Sequence, residues 1–308
     1  MSQEEDNKAL FYRWFNEAWN SGEYTVAHQI IAPNMQVHGA GGQPIEMGPD
    51  GLIGLISTWR SAFPDGHMSV DGVLAEGDLV AALLTWRGTQ QGEFYGVPPT
   101  GKGVVCTSVG IDRITGGKIV AGWGELDMLG MMEQMGAMPT VGLGDTARGK
   151  SAEWGPGDGD GMPRDTGTNR GENKRLMLRF VQAINAGDRD AALEIIDPNN
   201  YVEHNPVWGA HDFQSSVQVY QALREAIPDL TFEGDGILIG EGDMVAVHGI
   251  CRGTHTGSDL FGVPASGKQV AWTHSDVGRV SGGKIVERWV SADTLSLAQQ
   301  LGALPSGG

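Results

Sequence analysis

The sequence predicts an α+β fold in two tandem domains, and three observations carry that expectation. The string Gly-Gly-Lys-Ile-Val occurs twice, at 116–120 and at 282–286, and each copy is followed by a Trp (Trp123, Trp289) and an Asp (Asp127, Asp293) four residues further on. The rest of the chain repeats with it. Arg60 with Pro64-Asp65 matches Arg224 with Pro228-Asp229, Glu76-Gly77-Asp78 matches Glu241-Gly242-Asp243, and Gly136-Ala137-Met138-Pro139 matches Gly302-Ala303-Leu304-Pro305. Each copy then reads as helix, helix, strand, helix and a run of strands, the order of helices packed on one face of a curved antiparallel sheet. Two domain-sized copies exclude a solenoid and suit a pseudo-symmetric dimer within one chain.

In the first copy, Leu10, Phe11, Trp14, Phe15, Ala18 and Trp19 fall at helical spacing and predict a helix over 6–20, stopped by Ser21-Gly22. A second helix spans 23–31, ahead of Pro33. Gln36-Val37-His38 is a short strand entering a Gly-rich loop, and a third helix covers 50–62. Strands follow at 67–75, 79–87, 103–114 and 118–127, bounded by Gly, Asp or Pro. A closing helix takes 128–135. Residues 139–173 hold Gly, Asp and Pro without aliphatic periodicity, the composition of a flexible linker. The expected organisation is a first domain over 1–138, the linker over 139–173 and a second domain over 174–308.

A formal net charge of -17 with no basic stripe argues against nucleic-acid binding. The first residues, MSQEEDNKAL, have neither the basic nor the apolar part of a secretory signal. No apolar run reaches the roughly 18 residues of a membrane span, so a soluble, cytoplasmic protein is expected. Two cysteines, one per half, give neither a metal spacing nor a disulfide framework. They do give a swap: Trp86 corresponds to Cys251, and Cys106 to Trp272. A large and a small residue that exchange in this way conserve volume if they are neighbours across a hairpin, leaving two cavities of similar volume and different shape.

Candidate chemistry is denser in the second copy. Residues an even number apart share a strand face, so Trp289 and Asp293 point one way, as do Trp272, His274 and Asp276. His204 opens an HNP string and His255 lies in GTHTG. Carboxylates and imidazoles around an apolar cavity suit proton transfer, because burial raises a carboxyl pKa toward the working pH. Asp293 also stands where it would cap the last helix. In the first copy His38 and Asp127 remain, but His255 becomes Gln90, His274 becomes Ser108 and Asp276 becomes Gly110, while Glu125 adds a carboxylate beside Asp127. The loops holding Tyr95 and Phe261 read as stiff apolar flaps. Trp86, Tyr95, Trp123, Glu125, His255, Phe261, Trp272 and Trp289 are the candidate substrate-lining residues.

These strings resemble the SnoaL-like polyketide cyclase family, in tandem. They are HNP at 204–206, GTHTG through FGVPASGK at 253–268, GKIVERW at 283–289 with Asp293, QQLGALP at 299–305, and GEFYGVPPTGK, GGKIVAGW with Asp127 and EQMGAMP in the first copy. The resemblance implies two cone-shaped domains, each with helices on the concave side of its sheet, the fold shared with ketosteroid isomerase, limonene epoxide hydrolase and nuclear transport factor. It also implies a cofactor-free aldol-type ring closure of an apolar, carbonyl-rich small molecule. Asp293 would be the acid–base group and Asp127 its counterpart, with His204, His274, Asp276 and His38 in support. Two other readings stay open. One is an epoxide-opening enzyme using Glu125/Asp127 and Asp276/Asp293; the other is a non-catalytic binder of an apolar small molecule. Further oligomerisation is left open.

Overall fold

In the computed structural model, residues 2–39, 44–138, 162–164 and 169–304 are described. The expected linker therefore lies outside the described residues except at 162–164 and 169–173. The first domain opens with α1 (Gln3–Arg13), capped by the Ser2 hydroxyl on Glu5 N–H with Glu4, Glu5 and Asp6 in the first turn. It continues as a π-helix over Trp14–Asn20. There follow α2 (Thr25–Ile30), β1 (Ile31–His38), β2 (Ile45–Glu46), α3 (Pro49–Ala62), β3 (His67–Glu76), β4 (Leu79–Thr89), β5 (Gly103–Thr115), β6 (Lys118–Leu126) and α4 (Met128–Met135). The second domain runs α5 (Arg170–Ala186), α6 (Arg189–Ile195), β7 (Val202–His204), α7 (Phe213–Ala226), β8 (Thr231–Glu241), β9 (Met244–Thr254), β10 (Gln269–Ser281), β11 (Lys284–Ala292) and α8 (Thr294–Leu301).

The π-helix has a cause in the sequence. Asn7-Lys8 matches Asn173-Lys174, but Asn20 matches Asn185, so the first copy carries one extra residue between them. A π-helix absorbs such an insertion without moving the flanking contacts. Both asparagines therefore do the same work: Asn20 bonds the backbone N–H and C=O of Met68, and Asn185 those of Phe232.

The sheet orders are β2-β1-β6-β5-β4-β3 and β7-β11-β10-β9-β8. Both are mixed rather than wholly antiparallel, because β1 runs parallel to β6, and β7 to β11. A bulge bends β3 between Val70 and Gly72, and another bends β8 between Gly234 and Leu238. The expected swap is seen in the register: Trp86 lies directly opposite Cys106, and Trp272 opposite Cys251.

The two sheets pack against each other through their helix-free faces. Leu74, Ala81, Leu83, Val109, Ile111 and Trp123 from one domain, with Ile237, Ile239, Met244, Ala246, Val277 and Trp289 from the other, form one buried cluster. Polar contacts obey the same pseudo-twofold. Lys8 Nζ lies 2.5 Å from Glu241 and Lys174 Nζ 2.6 Å from Glu76. Each of those glutamates also accepts a backbone N–H of the opposite domain, Glu241 from Ala75 and Glu76 from Gly240. An isologous interface of this kind is what a homodimer builds between chains; here both halves come from one polypeptide.

Candidate functional site

On β11 the side chains alternate. Arg288 lies against the rings of Phe180 and Tyr220 on the helix side, and Ala292 joins the helix-side cluster. Trp289 belongs to the layer between the sheets. The shared face of Trp289 and Asp293 is thus the interdomain face, not the interior of the cone. Trp123 is placed likewise. Strand β11 is buried on both sides over Glu287–Ala292, so no polar alternation marks which face is which.

Several candidate residues occupy that interdomain layer. His38 stacks on Trp123 at 4.4 Å and His204 on Trp289 at 5.0 Å, ring centroid to centroid. His204 Nε2 is 2.9 Å from Glu287, whose other oxygen takes a hydrogen bond from Arg279. Burial holds His38 below the usual imidazole range. Glu125 sits 2.9 Å from His248 Nε2 and accepts from Ser275 Oγ, with His248 Nδ1 on Asp235 at 2.7 Å. Asp293 caps α8 by accepting Ser296 N–H at 3.0 Å, and Asp127 caps α4 through Gly130 N–H at 3.0 Å. Burial raises the Asp293 carboxyl, and the charge of Glu125 adds to it against the Ser296 hydrogen bond.

The loop residues hold the loops themselves. His255 is fully buried and spans Ser266 Oγ and Ser258 C=O, as Gln90 spans Val97, Pro98 and Thr100 in the first domain. Phe261 and Gly262 both have positive φ, as do Tyr95 and Gly96, the condition for a two-residue I′ hairpin. Phe261 is held there by stacking on Trp208, whereas Tyr95 is exposed.

The interior of the second cone is different. A cavity of about 40 Å³ lies between α5, α7 and the sheet, walled by Phe180, Leu223, Phe232, Trp208, Trp272 and Cys251 and reached by His274 and Asp276. A second hollow of about 120 Å³, among α5, α6 and α7, shares Phe180 and Tyr220 with it and reaches Arg288. Behind both runs a buried polar network. Asp276 Oδ1 is 3.1 Å from His274 Nε2 and 3.2 Å from Arg288 Nε. Arg288 also contacts Tyr220 OH and, at 3.3 Å, Glu203. Glu203 in turn accepts from Tyr201, Asn205 and Ser216. Burial opposes the charges of Asp276, His274 and Arg288, and pairing overcomes it. Asp276, between Arg288 and His274, stays below the usual carboxylate range. Against burial, Asp276 raises His274 to about 10, so the pair is imidazolium and carboxylate at neutral pH.

Among the candidates, the structure therefore gathers Trp272, His274 and Asp276 in the cone, and adds Arg288, Glu203, Tyr220 and Tyr201, which the sequence reading did not single out. One signal could have found them. By register, Gly122 stands for Arg288, Gly110 for Asp276, Val37 for Glu203, Ile56 for Tyr220 and Met35 for Tyr201, so all five polar positions are apolar or Gly in the first copy. A Cβ on Gly122 would come 2.8 Å from the Met35 methyl, so that space is closed. Aromatic rings fill the rest of the first cone: Trp86 packs edge-on against Trp19, Trp59 and Phe63, and Trp59 against Phe94. Among the described residues, no group of three or more His, Cys, Asp or Glu is arranged to hold a metal ion, and no helix is long and apolar enough to cross a membrane.

Comparison with known proteins agrees with this duplication. The family described as SnoaL-like polyketide cyclase matches at 9–135 and again at 174–301. A SnoaL-like protein from Jannaschia sp. CCS1 is similar at 27% identity, over 45% of this chain and 98% of its own, with a TM-score of 0.41. IdmH from Streptomyces antibioticus is 32% identical over 42% of this chain and 98% of its own, with a TM-score of 0.38. TsrD from Streptomyces laurentii is 25% identical over 45% and 99%, with a TM-score of 0.41. No curated protein sequence is significantly similar. The two family matches leave little beyond the 139–173 stretch and the chain ends unmatched, and the chain belongs to the SnoaL-like polyketide cyclase family, which it carries twice.

Proposed function

We propose that the second domain catalyses acid–base ring closure of an apolar, carbonyl-rich small molecule, and that the first domain is its structural partner. The observation that carries this reading is the His274–Asp276 pair at the cavity wall, locked by Arg288 and replaced as a unit in the first domain. In an aldol-type closure, Asp276 takes the proton α to one carbonyl, and the enolate carbon attacks a second carbonyl. His274 gives its proton to the alkoxide as the C–C bond forms. The proton on Asp276 then returns to His274 through their 3.1 Å hydrogen bond. Arg288 keeps Asp276 ionised until the substrate arrives, and the larger hollow beyond Phe180 and Tyr220 takes the apolar remainder of the substrate.

The family resemblance favours a second reading, in which Asp293 is the acid–base group; its raised carboxyl supports that reading, and its engagement as a helix cap opposes it. A panel of linear polyketone compounds, assayed for cyclised product, separates the two. Asp276→Asn and His274→Gln should abolish product, while Asp293→Asn, which keeps a capping side chain, should retain it. Loss of product in Asp293→Asn alone would move the chemistry to Asp293. Binding without product from any compound would make the cavity a carrier site.

A further inference from the structure

We infer that the cavity of the second domain is also a covalent site, at which the Cys251 thiol adds reversibly to α,β-unsaturated carbonyl compounds with His274 and Asp276 managing the proton. The inference shares the His274–Asp276 pair with the proposed ring closure but does not depend on turnover. Cys251 is a free cysteine in the cavity wall. It faces Trp272 across the β9–β10 ladder, with His274 two residues further along the same face of β10. Phe232 flanks both, opposite Cys251 in register and 5.5 Å from the His274 ring. The sulfur is one of the groups that favour the charged imidazole. Thiol, imidazolium and carboxylate thus follow one another in the order of a nucleophile, the acid that delivers a proton to the developing enolate and the group that holds that acid charged, and Arg288 fixes the last.

A second observation points to the ligand. The indole N–H groups of Trp208 and Trp272, which are 3% and 1% exposed and line this cavity, have no hydrogen-bond partner. Trp19 and Trp86 also leave indole N–H groups unpaired, but in a packed core; in the second domain the unpaired donors belong to a cavity wall, where a carbonyl oxygen that gains charge during reaction is a fitting acceptor. In the addition, a sulfur lone pair forms the S–C bond at the β-carbon and the C=C π electrons move to the carbonyl oxygen. The α-carbon takes the His274 proton, and the thiol proton replaces it on His274. The net change is S–H across C=C, and the reverse step releases the enone.

The first domain supplies an internal control. Cys106 faces Trp86 in the same register, but Ser108 and Gly110 stand in place of His274 and Asp276, and Trp86 lies in packed aromatic core rather than beside an open cavity. The experiment incubates the full chain with 2-cyclopenten-1-one and follows the adduct by intact mass and peptide mapping. One adduct at Cys251 and none at Cys106 is expected, with Cys251→Ser unlabelled. His274→Gln and Asp276→Asn, each checked for an unchanged near-ultraviolet spectrum, should slow labelling at least tenfold. Equal labelling of both cysteines, labelling only in denaturant, or an undiminished rate in both folded variants would overturn the inference. Adduct here with no cyclised product from the linear polyketone panel would leave it standing and remove the ring-closure reading; cyclised product from that panel without adduct here would do the reverse.

Discussion

The His248 imidazole ties the two domains together, and its contribution can be measured through pH. Burial alone would strip its charge, but the hydrogen bonds of Asp235 and Glu125, the latter from the opposite domain, raise it to about 9. A histidine with a folded pKa above its unfolded value contributes stability that is fully present below the unfolded value and is lost as pH rises through the folded one. The window is therefore from about 6.5 to about 9. The shift corresponds to roughly 3 kcal/mol when complete, of which about 2 kcal/mol disappears between pH 7 and pH 9. Because His274, raised to about 10, also loses stabilisation across this window and beyond it, the difference between wild type and His248→Gln isolates the interdomain share. Urea unfolding at pH 7 and pH 9 should show wild type losing about 2 kcal/mol more than the variant over that range. Equal losses in both proteins would refute the assignment of a charged His248 to this interface.

Asp112 is a half-buried carboxyl on the first sheet, raised by desolvation to about 7. A raised carboxyl lowers stability, by an amount absent below about pH 4 and complete above about pH 7, so Asp112→Asn should raise the unfolding free energy from urea titration at pH 8, by about 1 kcal/mol or more, and not at pH 4. Arg288→Met should cost about 3–5 kcal/mol in unfolding free energy, because it leaves Glu203 buried without a cation and Asp276 with His274 alone. Trp86→Ala should cost about 3–5 kcal/mol by the same assay, since its ring is wholly buried against Trp19, Trp59 and Phe63. Lys8→Ala and Lys174→Ala, at the two symmetry-related ends of the interface, should destabilise by similar amounts, and a large inequality would argue against an isologous contact.

Much of the fold was legible because duplication doubles each weak signal. The helix over 128–135 and the swap of Trp86 and Cys106 against Cys251 and Trp272 are legible from matched positions alone. What a single strand could not reveal is which of its faces looks into the cone. Residues 287–292 are buried on both sides, one by helices and one by the other domain, so period two groups Trp289 with Asp293 yet leaves their direction undecided. The same ambiguity hid Arg288, which period two assigns to neither face and which Asp276, Glu203 and Tyr220 surround on the helix side.

The two cones show how one scaffold can be taken in two directions. A cone interior filled by Trp59, Phe63, Trp86 and Phe94 gains stability from close packing and gives up the space a ligand would need. An interior built on Arg288, Asp276 and Glu203 bears the desolvation of several charges and gains little stability from them, but it keeps a carboxylate and an imidazolium poised at a cavity wall. The stability given up in the second domain has a source in the first, because the sheets share one apolar layer and reciprocal ion pairs. Fusion in one chain keeps the partner present at every protein concentration, which a homodimer cannot do. On the proposed reading, the packed first domain supports a second that holds a charged, hollow core.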